Sequence, residues 1–331
     1  MMKTNIIYPK CANSFKIFLS NNNLTQFYYK LGSPKPFDVT LRDGLQSLSK
    51  PHQENYTTQD KIDLYHKILF NYNPKNIEVG SIVSEKILPI FKESIEVFEK
   101  INNFQNFIRD NNTNNKEKKQ NIFMLIPNMK KLSCILDNKN VYNFSFITSV
   151  SNSFQLRNTN MTLKESDNYI LNMLNVLQEL DDSSERELKS FVKLYVSCIN
   201  ECPIEGKIDN EFIINRILHL NKLNVDKICL SDTCGTLNDE DFEYIVDTCS
   251  FFGIPTNKFS LHLHVKNGRE DIVEKIIHKA LDRKIIDFDV SSLESEGCSV
   301  TMDKGKLVPN LSYELYYKSL ANYIVNKNIN Y

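Results

Sequence analysis

The chain has 331 residues but no tryptophan, only nine glycines, and no Cys-x-x-Cys pair among its eight cysteines. Without cysteines at zinc-ribbon spacing, a structural zinc module has no ligand set. Cys11, Cys134, Cys198, Cys202, Cys229, Cys234, Cys249 and Cys298 lie largely in or near apolar runs, where a small buried thiol is the ordinary outcome and a reducing compartment the fitting one. No Gly-x-Gly-x-x-Gly follows the first strand-like segment, so a dinucleotide fold lacks its phosphate loop. No apolar stretch approaches membrane-spanning length. A formal net charge of -1 gives no reason to expect nucleic acid or an anionic membrane surface as partner.

Acidic residues are also missing from the first 37 positions, which carry Lys3, Lys10, Lys16, Lys30 and Lys35. That composition suits an organellar transit peptide, while the absence of arginine suits an ordinary flexible extension. Residues 1–36 are therefore expected to form an N-terminal extension, flexible or targeting, ahead of a single domain over residues 37–331. The expected location is the cytoplasm, with the mitochondrial matrix as the alternative.

What is present is a repeating alternation. Short apolar strand candidates run over Phe37–Leu41, Ile77–Ser81, Ile122–Pro127, Phe144–Ser149, Val192–Cys198, Lys227–Ser231, Phe259–His264 and Phe288–Ser292. Between them lie helical spacings at Gln59–Phe70, Glu85–Lys100, Lys164–Leu180, Asp209–Leu220, Asp239–Phe252 and Glu270–Leu281. Strands alternating with helices of this length argue for βαβ units and a parallel sheet. About eight units is the number that closes a (β/α)8 TIM barrel, here with a helical C-terminal end, and a doubly wound open sheet is the alternative. The Asn- and Lys-rich run Asn111–Gln120 reads as an exposed, mobile insertion.

A barrel gathers its reactive residues at the carboxyl ends of several strands. The first strand candidate ends at Arg42-Asp43-Gly44, with Gln46 one turn on. An arginine beside a carboxylate at such an end can bind a divalent metal and offset negative charge on a substrate oxygen; the plain alternative is a surface ion pair. The second strand carries Glu78, the sixth ends at Asp232-Thr233, and the seventh at His262-Leu263-His264. Residues two apart on a strand point to one side, so the two imidazoles project together, a common metal pair. Asp43 with two histidines and open positions suits an octahedral cation such as Mg2+ or Mn2+ better than Zn2+. Cys298, after Gly297 in the loop beyond the eighth strand, is either a proton donor or acceptor or a loop thiol with no role. Asn310, after Pro309, reads first as a helix N-cap and second as a carbonyl donor to the metal.

With these residues assembled, the chain resembles the 3-hydroxy-3-methylglutaryl-CoA (HMG-CoA) lyases of the DRE-TIM metallolyase superfamily, over about residues 37–325. Arg42-Asp43-Gly44-Leu45-Gln46 matches the opening signature, Ile77-Glu78-Val79-Gly80-Ser81 the second-strand motif and Pro127-Asn128-Met129-Lys130 the third. Tyr195-Val196-Ser197-Cys198, with Cys202-Pro203-Ile204-Glu205-Gly206-Lys207, is similar to lyases more than to the condensing synthases of the superfamily. The resemblance implies cleavage of HMG-CoA to acetoacetate and acetyl-CoA, the chemistry of leucine catabolism and ketone body formation, in a homodimer that takes an acyl-CoA thioester. It implies that Asp43, His262, His264 and Asn310 bind the divalent cation, and that Arg42 stabilises the enolate oxygen, with Gln46 beside the substrate. Glu78 and Asp232 would orient or exchange protons at the substrate hydroxyl, and Cys298 would lie on a closing loop. The chain departs from the family around that cysteine, where Ser292-Leu293-Glu294-Ser295-Glu296-Gly297 replaces a glycine-rich loop, and after His264, where Val265-Lys266-Asn267-Gly268 replaces Asp-Thr-Tyr-Gly. A Claisen-type condensing synthase and a catalytically silent binding barrel are the alternatives.

Overall fold

The structure is a computed structural model that describes residues 12–20, 22–111, 120–136, 138, 140–183, 188–293 and 308–329. Eight parallel strands close a barrel: β1 (Phe37–Asp38), β2 (Asn76–Ser81), β3 (Asn121–Leu125), β4 (Asn143–Ser149), β5 (Phe191–Ser197), β6 (Lys227–Asp232), β7 (Phe259–Leu263) and β8 (Phe288–Val290). Each strand pairs with its neighbours in sequence and β8 closes onto β1, so the expected (β/α)8 barrel is the fold. The main covering helices span Thr58–Tyr72, Ser94–Asn111, Leu163–Asp182, Asn210–Asn221, Asp239–Phe251, Glu270–Asp282 and Tyr313–Ile329. Local chemistry sets their starts: Thr57 with Asp60, and Thr162 with Glu165, form reciprocal capping boxes that satisfy first-turn N–H groups.

Alternation along the strands sorts the core into two layers. Outward residues such as Ile77, Met124, Phe144, Leu194, Leu230, Leu261 and Val290 form one apolar layer beneath the helices. Inward positions are mixed. Near the base Phe37, Val39 and Phe123 pack together, and Leu125, Tyr195 and Cys229 form a second small cluster. Buried Lys193, Glu78, Asp289 and His262 share that interior.

Several expectations need correction. The stretch Phe37–Leu41 pairs as a strand only at Phe37–Asp38; Thr40–Gly44 is a tight turn of π-helix. The Val39 carbonyl accepts from the amides of Arg42, Asp43 and Gly44 at 3.2, 2.7 and 3.1 Å, which swings the chain sharply off the strand. A side chain at Gly44 would put its Cβ 2.8 Å from Ser291 Oγ, so any larger residue in this turn would have to displace that hydroxyl. Helix does not cover Glu85–Glu93, where a short 3-10 turn precedes the helix that starts at Ser94. Within residues 1–36, the helices Ala12–Phe18 and Asn22–Lys30 pack on the outer helices, with the Phe15 ring 5.1 Å from that of Tyr317. Phe15 and Leu19, four apart, supply the apolar stripe that buries there. Of the expected exposed insertion Asn111–Gln120, residues 112–119 lie outside the described residues; Asn111 ends a helix, and Gln120 is buried, accepting from the Tyr65 hydroxyl and donating to the Pro74 carbonyl at 2.8 Å each. Among the described residues, no helix is long and apolar enough to cross a membrane.

Candidate functional site

The turn after β1 and the end of β7 meet at the mouth of the barrel. Arg42 donates through Nε to Glu78 Oε2 and through a terminal nitrogen to Asp43 Oδ1. Its guanidinium carbon lies 5.0 Å from the centre of the Tyr195 ring, and the Tyr195 hydroxyl donates to Glu78 Oε2 at 3.2 Å. Burial disfavours the Arg42 charge, but Glu78 and Asp43 outweigh it and hold the guanidinium ionised.

Asp43 is buried with Oδ2 unpaired and 3.7 Å from His262 Nε2. Burial alone would raise its pKa; Arg42, then His262 and His264, more than offset this and hold it down at about 2. The histidines face one another through Nε2 atoms 3.1 Å apart. Their other nitrogens reveal what those atoms carry. His264 Nδ1 lies 2.6 Å from the Val308 carbonyl oxygen, which only accepts, so Nδ1 bears the proton and Nε2 a lone pair. His262 Nδ1 lies 3.2 Å from Asp289 Oδ2, and the same argument gives the same tautomer. Burial, followed by His262, depresses the His264 pKa to about 4 and keeps that ring neutral.

With His262 neutral like His264, two lone pairs and an orphaned carboxylate oxygen converge, and the ligand atoms of Asp43, His262 and His264 all lie within 4.8 Å of one another. Facing lone pairs repel, and a buried acceptor without a donor is costly. The donor set of two imidazoles and one carboxylate fits a divalent cation.

Asn310 is close enough to Asp43 to help lower its pKa, although neither amide atom completes a hydrogen bond of good geometry. Its N-cap reading is corrected: it bridges antiparallel to His264, and the helix begins at Tyr313 with Ser312 Oγ accepting from the Leu315 amide at 3.1 Å. Gln46 stands on the wall of the adjoining cavity of about 430 Å3, with Arg42, Asp43 and both histidines. Asp232 does not join them. It falls on the outward parity of β6, where its two oxygens accept from the amides of Thr236 and Leu237 at 3.1 and 3.0 Å; Ser231 and Thr233 on either side line the cavity instead. Cys298 lies outside the described residues, as do Glu294–Gly297. The altered residues after His264 make no hydrogen bond to either imidazole, since Asp289 and the Val308 carbonyl fill those roles.

The far wall is apolar, with Val83, Leu88, Leu125, Ile147 and Phe154, and Lys131 and Arg157 also line the cavity. Glu205 fixes this wall. Within the turn between Glu201–Cys202 and Gly206–Lys207, it accepts from Ser151 Oγ at 2.5 Å, and Ser151 caps the short helix that carries Phe154. Sequence reasoning missed Asp289 and Lys193, and quoted Tyr195 without a role. The available signal was a charged residue at an inward position of an apolar strand, but inward parity is legible only once the strand register is known.

The HMGL-like family model matches residues 33–269, more than half of the chain. The chain belongs to the HMGL-like family. Within it, the chain is similar to a 3-hydroxy-3-isohexenylglutaryl-CoA/hydroxymethylglutaryl-CoA lyase of Pseudomonas aeruginosa, at 26% identity over 261 residues, 79% of this chain and 77% of that protein. The mitochondrial hydroxymethylglutaryl-CoA lyase of Arabidopsis thaliana is 22% identical over 284 residues, 84% of this chain, and the chain spans only 54% of that protein's length. The crystal structure of the HMG-CoA lyase of Brucella melitensis superposes with a TM-score of 0.67 at 21% identity, over 89% of this chain and 98% of that one. An HMG-CoA lyase of Acinetobacter baumannii, solved in complex with coenzyme A and 3-methylmalate, gives 0.65 at 23% identity, over 88% and 90% of the two chains. At these identities the structural likeness establishes the barrel.

Proposed function

We propose that this HMGL-like protein is a divalent-metal-dependent carbon–carbon lyase that cleaves HMG-CoA to acetoacetate and acetyl-CoA. The observation that carries the reading is the convergence of Asp43, His262 and His264 beside an arginine that is itself held by Glu78. The curated relatives it matches are lyases, which favours cleavage over condensation, and a family relative crystallised with coenzyme A supports a CoA thioester as ligand.

The reaction breaks the bond between C2 and C3 of the acyl group. The tertiary hydroxyl loses its proton and becomes the ketone of acetoacetate. The electron pair of the broken bond moves into the thioester carbonyl, and a proton delivered to C2 completes acetyl-CoA. A Mg2+ or Mn2+ ion held by Asp43, His262 and His264, with Asn310 as a further ligand, would supply the positive charge that lowers the cost of ionising that hydroxyl. Arg42 meets the negative charge that develops on the thioester oxygen. Glu78 Oε2 takes the Arg42 Nε–H and the Tyr195 hydroxyl and so aims the guanidinium; Glu78 Oε1 is buried and has no partner. Gln46 lines the wall where the acyl group would lie. The closing role that the resemblance assigns to Cys298 remains part of this reading.

A longer alkyl branch on the same substrate skeleton is the second reading, favoured by the apolar wall of Val83, Leu88, Leu125, Ile147 and Phe154 and by the Pseudomonas aeruginosa relative that takes an isohexenyl substituent. One experiment addresses both. Purified protein is incubated with HMG-CoA and with a 3-isohexenyl analogue, with Mn2+, with Mg2+ and with EDTA, and acetyl-CoA is quantified. Metal-dependent acetyl-CoA release with a matching keto acid is expected; no release from either thioester in the presence of bound metal would overturn the lyase reading.

A further inference from the structure

Below the cation site the barrel interior holds a charged pair that the reaction does not touch. Lys193 on β5 is 2% exposed, and its ammonium donates to Asp289 Oδ1 on β8. The ammonium also lies 3.5 Å from the centre of the Phe37 ring and 4.6 Å from that of Tyr195. Asp289, 1% exposed, gives its second oxygen to His262 Nδ1 at 3.2 Å, and the two residues are direct partners in the β7–β8 register. Neither Lys193 nor Asp289 lines the cavity. Burying such a pair is expensive, and a well-packed apolar pair of similar volume often serves stability as well or better. Stability is therefore a poor reason for it.

We propose that Lys193 and Asp289 are positioning residues that lock His262 in its Nδ1–H tautomer and so keep its Nε2 lone pair aimed at the cation. The inference rests on the reading of Asp43, His262 and His264 as a cation site. The two oxygens divide the work: Lys193 donates to Oδ1, and Oδ2 is left as the acceptor for the imidazole, with the Cys229 thiol 4.0 Å away as a weaker donor. Lys193 thus decides which way any group at position 289 is turned.

That logic predicts an unusual pattern of variants. In Asp289→Asn the amide has one oxygen and one NH2. Lys193 claims the oxygen and turns the NH2 toward His262 Nδ1. The ring must then accept at Nδ1 and carry its proton on Nε2, where the lone pair is lost. Adding Lys193→Met frees the amide to rotate its oxygen back to Nδ1–H. The single Asp289→Asn variant is expected to bind Mn2+ about 10–100-fold more weakly than the parent, as for other loss of support behind a metal ligand. The double variant is expected to recover part of that loss. A merely structural role predicts the opposite, because the two lesions would add.

The measurement is free Mn2+ by electron paramagnetic resonance at one fixed pH, with a thermal melt of each variant. Recovery in the double variant supports the inference. Asp289→Asn binding like the parent, or a double variant no better than Asp289→Asn, overturns it. A parent protein that binds no Mn2+ overturns the cation site itself. Should Asp289→Asn fail to fold, nitrogen-15 NMR of the metal-free parent reads the tautomer directly: a proton on His262 Nδ1 supports the inference, and one on Nε2 overturns it.

Discussion

Asp289 and Asp38 stand on adjacent strands, on opposite faces of the same sheet, and both are cut off from water. Burial pushes both carboxyls toward their neutral form, yet they end in different states. Asp289 faces the barrel interior, where Lys193 and His262 outweigh burial and hold its pKa below the ordinary carboxylate value. Asp38 faces the helices and meets only neutral donors: the Tyr313 hydroxyl at 2.7 Å and the Thr40 amide and hydroxyl at 2.9 Å each. Those donors recover part of the desolvation cost, and the Asp38 pKa still rises to about 6. Asp43 and Asp232 repeat the contrast, at about 2 inside and about 6 outside. The inner carboxylates are ion-paired or hydrogen-bonded to cationic side chains directly, whereas the outer ones accept from neutral donors, with Arg269 adding only a weaker field at Asp232. Catalysis needs the first kind, because only there is a carboxylate reliably ionised next to a cation and a substrate.

The most severe test of that contrast is Asp43→Ala. It removes the inner carboxylate whose Oδ2 has no partner but the proposed cation. Mn2+ binding and acetyl-CoA release are both expected to vanish; Asp43 Oδ1 also accepts from Arg42, so the variant leaves that buried guanidinium with Glu78 alone and its thermal melt should fall as well. Retention of Mn2+ affinity by this variant would break the distinction between the two faces.

Arg42→Met should come next in size. Removing the charge that meets the thioester oxygen is expected to lower kcat by about 10²–10³-fold, the usual scale for losing one preorganised donor, with Mn2+ affinity changed only a few-fold. The variant also leaves Glu78 buried without its cation, which costs about 3–5 kcal/mol when a buried pair is broken from one side. Arg42→Lys separates the effects. It keeps the charge but lacks the planar fork whose Nε and terminal nitrogen reach Glu78 and Asp43 separately, so its kcat should fall between the parent and Arg42→Met. Equal kcat for Arg42→Lys and Arg42→Met would argue that fork geometry, not charge, carries the step.

The contrast also explains what could be read from the sequence. The strand–helix alternation located all eight barrel strands, because buried strands advertise themselves as apolar runs. The pairing of Asp43 with His262 and His264 followed from those runs plus barrel closure. Parity was harder. Asp232 ends a strand, but one residue along a strand reverses the face, and its two oxygens hold the Thr236 and Leu237 amides, a placement that strand position alone does not reveal. Lys193 and Asp289 are separated by nearly a hundred positions and read as unrelated charges until β5 and β8 enclose a common interior. Asn310 was mistaken for a cap because the sequence does not reveal that residues 309–311 first run beside the end of β7. The folded N-terminal helices were hidden by a composition rich in lysine and asparagine, although Phe15 and Leu19 carry the needed spacing.

Asp38→Asn should have the smallest effect on turnover and a distinctive one on stability. A carboxyl raised from 3.8 unfolded to about 6 folded binds its proton more tightly in the native state. Its contribution to stability is full below pH 3.8 and is lost as pH rises through about 6. A shift of that size corresponds to roughly 3 kcal/mol. His264, whose pKa is depressed to about 4, works in the opposite direction over the same range, so the parent's melting curve alone would blur the signal. The difference between parent and Asp38→Asn removes that interference, because His264 is common to both. Denaturant unfolding at intervals from pH 4 to pH 7 should give a parent-minus-variant stability that falls steadily with pH. The offset from the hydrogen bonds that asparagine makes or loses with Thr40 and Tyr313 shifts the whole curve without changing its slope. A flat or rising difference would mean that the outer carboxyl is ionised as freely as the inner ones, and the two faces would then not differ in kind.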